Sequence, residues 1–77
     1  MTKDEFKKKL IGLGFHHEAV LGSSREYRRS FRIGASLWVG FIPKNNRVIV
    51  RFGKSGMCFD TYEEALGSIV EKINKFG

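Results

Sequence analysis

The chain has 77 residues, 14 of them Lys or Arg and 8 Asp or Glu, for a formal net charge of +6. That length accommodates one domain, residues 1–77, and 42% hydrophobic against 29% charged residues is the balance of a globular chain rather than a disordered one. No apolar run approaches the ~20 residues of a membrane helix, and no apolar core follows the charged start Lys3-Asp4-Glu5, so transporters, disulfide-rich secreted scaffolds and large multi-substrate enzymes are disfavoured.

The first element expected is a helix over Thr2–Leu13. Thr2 and Glu5 have the spacing of a capping box. Phe6, Leu10 and Leu13 recur at helical spacing, and Gly14 suits a left-handed exit. Residues 16–25 lack a strong period and read as a loop, with Ala19–Leu21 as its one candidate for a short strand.

Three strands follow, each with period-2 alternation. Glu26–Ile33 puts Tyr27, Phe31 and Ile33 on one side and Arg28, Ser30 and Arg32 on the other. Ser36–Ile42 sets Leu37, Val39 and Phe41 against Ser36, Trp38 and Gly40. Arg47–Gly53 sets Val48, Val50 and Phe52 against Arg47, Ile49 and Arg51. Turns are expected at Gly34-Ala35, at Pro43-Lys44-Asn45-Asn46 and at Lys54-Ser55-Gly56. Met57–Phe59 is a candidate for a short fourth, edge strand. Asp60 or Thr61 then caps a last helix running to about Phe76, with Glu63 and Glu64 completing either capping box. Its apolar stripe, Tyr62, Ala65, Leu66, Ile69, Val70, Ile73 and Phe76, is wide enough to cover a sheet. The expected fold class is therefore α+β: helix, three-stranded antiparallel sheet, helix. Both helices lie on one face, and the other face stays open.

The charge is concentrated in the strands. Residues 25–54 hold eight basic residues against Glu26 alone, a net +7, while the rest of the chain nets −1. The open face is expected to carry Arg28, Arg32, Arg47 and Arg51 around Trp38. Arg25, Arg29, Lys44 and Lys54 are expected at its rim. Arginine offers a planar fork of donors to phosphates and base edges and stacks on bases. The first reading is thus a nucleic-acid-binding sheet, most simply for duplex DNA. The four arginines would contact phosphate or base, Trp38 would pack on sugar or base, and the rim would contact phosphate. The bland alternative is a solvated face on which Arg and Trp merely shield backbone.

Arg47-Val48-Ile49-Val50-Arg51-Phe52-Gly53 and Cys58-Phe59-Asp60-Thr61-Tyr62-Glu63-Glu64-Ala65 resemble the sheet-to-helix junction of AP2-type DNA-binding domains and of the amino-terminal domains of tyrosine integrases. The match runs through Phe59, Thr61, Glu63, Glu64 and Ala65, and the resemblance covers about residues 37–76. It implies a three-stranded sheet in the DNA major groove with one helix behind it and Trp38 on the middle strand; the small size and autonomy of the chain suggest a phage or mobile-element setting. The helix–sheet–helix order is also similar to the double-stranded-RNA-binding fold and to HicA-type toxins. Asp60, Glu63 and Glu64 at the start of the last helix would repel a phosphate there, which disfavours that RNA-binding mode.

Other chemistry is sparse. His16-His17-Glu18 lacks metal-ligand spacing, so no metal or cofactor is expected. The single cysteine, Cys58, permits no internal disulfide and fits a reducing, cytoplasmic setting. Its apolar neighbours suggest a small buried hydrophobe. Gly53-Lys54-Ser55-Gly56 lacks the preceding glycine and following helix of a P-loop. No catalytic constellation emerges, so an enzyme is not expected. Two alternatives to DNA binding stay open. One is a protein-interaction module with an acidic partner, such as a phage inhibitor of a host defence nuclease. The other is a HicA-like RNA-binding or RNA-cleaving toxin. A homodimer is also compatible with the sequence, and one formed through the open face would hide it.

Overall fold

The computed structural model describes residues 1–18, 25–42 and 47–77, with the backbone alone for Arg25. Helix α1 spans Lys3–Gly12. Its capping box is formed in both directions: the Glu5 amide donates to Thr2 Oγ1 at 3.2 Å and the Thr2 amide to Glu5 Oε1 at 3.1 Å. Beyond it, Gly14 takes φ 94°, the left-handed conformation that turns the chain back. Phe15 follows into the core.

Five strands then form one antiparallel sheet in sequence order: β1 His16–His17, β2 Arg25–Ser30, β3 Ser36–Ile42, β4 Arg47–Phe52 and β5 Ser55–Phe59. Helix α2, Tyr62–Phe76, closes the fold and is capped by Thr61, whose Oγ1 accepts from the Glu64 amide. No helix among the described residues is long and apolar enough to cross a membrane.

The three-stranded sheet expected from the sequence is thereby corrected to five strands. The resemblance to AP2-type and integrase domains goes with it, because those folds rest on three. Two segments account for the difference. His16–His17 pairs with Tyr27 and Arg28 instead of lying in a loop. Ser55–Phe59 makes a full edge strand, because the turn is the two-residue Gly53-Lys54 with Gly53 at φ 60°. Ser55 and Gly56, expected in the turn, are already paired. The candidate strand Ala19–Leu21 and the turn 43–46 lie outside the described residues.

Strand β2 also ends earlier than its alternation suggests. Phe31 to Gly34 forms the loop of the β2–β3 hairpin, with the Gly34 amide donating to the Phe31 carbonyl and Gly34 at φ 89°. Ile33 is consequently 61% exposed instead of buried.

The core lies between the helices and one face of the sheet. Phe6 and Leu10 of α1 and Ala65 and Ile69 of α2 join Tyr27, Leu37, Val39, Phe41, Val48 and Val50 in one cluster. Phe6 packs edge-on to Phe41 at 5.9 Å and stacks on Tyr62 at 5.1 Å, so one ring ties both helices to the sheet. All inward strand residues share one parity. The other parity is left without a covering element among the described residues.

Candidate functional site

Registers across the strands decide which side chains share the uncovered face, because directly opposed residues point the same way. His16 opposes Arg28, Arg28 opposes Trp38, Trp38 opposes Arg51, and Arg51 opposes Gly56. One row therefore crosses all five strands, with Trp38 on the central strand and an arginine on each side. A second row runs Gly40, Ile49 and Cys58, and Ile42 opposes Arg47. Ser30 and Ser36 form a pair at the hairpin end.

The arginines differ in what already holds them. Arg28 Nε donates to Ser36 Oγ at 3.1 Å, and its guanidinium lies 5.4 Å from the Trp38 ring centroid. Its Nη1 stands 3.7 Å from Glu18 Oε2, an ion pair too long for a hydrogen bond. Arg47 Nε donates to Asp60 Oδ1 at 2.9 Å. Arg51 is exposed and makes no hydrogen bond or ion pair among the described residues. Trp38 is half-buried. The Arg47–Asp60 pair is solvent-accessible, so Asp60 is a weak competitor that a phosphate can displace, whereas the Glu18 oxygen facing Arg28 is itself buried.

The structure thus brings Arg28, Trp38, Arg47 and Arg51 onto one face, as the alternation predicts. Arg32 sits apart, exposed in the β2–β3 loop, and Lys54 is exposed in the β4–β5 turn. Arg25 keeps its place on β2 by backbone alone, and Lys44 lies outside the described residues.

Arg29 is the misplaced member of the set. It opposes Leu37 and so points to the helix side. Its guanidinium lies 4.7 Å from the Phe31 ring, and its Nη1 is buried without a hydrogen-bond partner. A Cβ added at Gly14 would meet Arg29 Nε at 3.1 Å, and one at Gly77 would meet Nη1 at 3.1 Å. Arg29 is therefore wedged between the C-terminal ends of α1 and α2, where the helix dipoles favour a cation. The signal was available in the sequence, because Arg29 has the parity of Tyr27.

Sequence reasoning also missed two residues. His16 stands on the uncovered face beside Arg28, although the loop reading kept both histidines off the sheet. His17 points the other way and packs edge-on to Tyr27 at 5.2 Å. Cys58, read as buried, is exposed on the edge strand. Among the described residues no group of three His, Cys, Asp or Glu could hold a metal ion.

A second basic surface lies on the opposite side. Lys3 and Lys7 of α1 place their ammonium groups 4.6 and 5.6 Å from the Phe41 ring centroid. Lys8 and Lys9 are exposed on the same helix. Asp4 and Glu5 dilute the positive charge there.

No protein-family model, no curated protein and no solved structure matches this chain significantly. A functional reading therefore rests on the geometry of the uncovered face.

Proposed function

We propose that this chain binds nucleic acid through the uncovered face of its sheet. The observation that carries the reading is the cross-strand row Arg28–Trp38–Arg51. It sets an aromatic residue between arginines on the two neighbouring strands, on a face that neither helix covers. Arg47 adds a third cation on the same side, and Lys54 and Arg32 extend positive charge to one end. Phosphates would take the arginines, and a base or sugar would take the indole.

The competing protein-interaction reading uses the same residues, since Trp and Arg also dominate protein hot spots. Segregation of the whole net charge into residues 25–54 favours a polyanion. The RNA-cleaving alternative gains His16 on the row, but no second proton-transfer group is paired with it among the described residues.

The test is a titration of the purified protein with labelled oligonucleotides at two salt concentrations. Binding should weaken as salt rises, because phosphate contacts release counterions. Arg51→Ala should weaken binding and reduce the slope of log K against log salt by about 0.7–0.9. Unchanged affinity in both Arg28→Ala and Arg51→Ala would overturn the placement. Absence of binding to DNA and RNA at low salt would direct the face to an acidic protein instead.

A further inference from the structure

Resting on the reading above, we propose that the nucleic acid this face takes is single-stranded rather than duplex. The width of the sheet favours a single strand. Five antiparallel strands at about 4.8 Å spacing present a face about 19 Å across, whereas the major groove of B-DNA is about 12 Å wide and admits a helix or a two-stranded ribbon. The row Arg28–Trp38–Arg51 occupies β2, β3 and β4, the middle of that width. Strands β1 and β5 flank it on both sides and would meet the groove walls before the row reached base edges. The same width suits an unpaired strand laid across the sheet.

The chemistry of the row points the same way. A duplex hides the faces of its bases, so an aromatic ring in the centre of a binding face has little to stack on. An unpaired strand exposes those faces, and stacking on an aromatic side chain accepts any base. Trp38 is half-buried at the centre of this row. Arg28 and Arg51 on the neighbouring strands are placed for the flanking phosphates. Arg28 already lies over the indole and shows that the ring accepts a planar cationic neighbour.

The experiment uses one non-self-complementary 12-nucleotide DNA, labelled, as a single strand and annealed to its complement, with the RNA of the same sequence as a third arm. Anisotropy and Trp38 emission, from the only tryptophan, are followed together. The proposal expects the single strands to bind at least about tenfold more tightly than the duplex, with Trp38 emission quenched. Trp38→Leu should lose about five- to a hundredfold in single-strand affinity, the loss of one stacked base, while Trp38→Phe keeps most of it. If Trp38→Leu fails to fold, the wild-type quench and Trp38→Phe carry the test. Equal or tighter duplex binding, or single-strand binding that leaves Trp38 emission unmoved, overturns the proposal while the nucleic-acid reading stands. Failure of all three arms overturns that reading itself.

Discussion

Replacing Phe6 by Ala tests whether α1 really covers the inner face of the sheet, on which the idea of an uncovered outer face depends. Phe6 is fully buried, and its ring meets Phe41 on β3 and Tyr62 on α2. Truncating a buried Phe to Ala costs about 3–5 kcal/mol, from lost transfer energy and the cavity left behind. A domain of this length has about 4–12 kcal/mol in total. The substitution should therefore remove about a quarter or more of the stability and lower Tm by at least about 12 °C, at about 4–8 °C per kcal/mol. Thermal unfolding followed by circular dichroism reads this directly. Ile11→Ala on the same helix is the control, because Ile11 is 54% exposed and should change stability by about 0.5 kcal/mol or less. A Phe6→Ala loss below about 1 kcal/mol, close to that of the control, would mean that α1 does not pack on the sheet. The assignment of faces would then fall with it.

Further predictions concern the acids. Asp60→Asn should tighten nucleic-acid binding, because it releases Arg47 from its 2.9 Å ion pair and removes a negative charge beside the face. Glu18→Gln should act the same way through Arg28. Weaker binding in both variants, read by the same anisotropy titration, would mean that these acids orient the arginines rather than compete for them. The Glu5 carboxyl is held below its ordinary value of 4.5, first by the Thr2 amide and then by the Thr2 hydroxyl. A depressed carboxyl contributes stability that is present above the unfolded-state value and is lost as pH falls through the folded-state one. The Tm advantage of the wild type over Glu5→Gln should therefore shrink as pH drops through the carboxylate range, and a constant difference would contradict the capping box.

Which parts of this fold are legible in the sequence follows from where the signal is local. The Thr2 and Glu5 capping box and the Thr61 cap are short-range patterns, and both helices start where those residues put them. Strands β3 and β4 announce themselves by burying alternate residues. The edge strands do not. Both residues of β1 are exposed, and four of the five in β5 are exposed, so neither has a buried face to impose a period. They exist because β2 and β4 offer unpaired backbone and because Gly14 and Gly53 return the chain to them, which no hydropathy pattern records. Ile33 is the converse case, an apolar residue in phase with a strand that has already ended at Ser30.

For the candidate site, the alternation places Arg28, Trp38, Arg47 and Arg51 on one face, and the registers of β2, β3 and β4 agree. The sequence could not supply the order of residues across strands, which makes a row of Arg28, Trp38 and Arg51 and adds His16 to it. Nor could it supply the width of the face, which depends on the two edge strands and weighs against insertion in a duplex groove.

The most direct test of the central claim is an amide and indole NMR titration of the folded protein with a 12-nucleotide single strand. The account predicts that shift changes concentrate on the Trp38 indole and on Arg28, Ile49 and Arg51, with α1 and α2 little affected. Changes concentrated on Lys3, Lys7, Lys8 and Lys9 of α1, with the Trp38 indole unmoved, would contradict it and move the interface to the opposite side of the molecule.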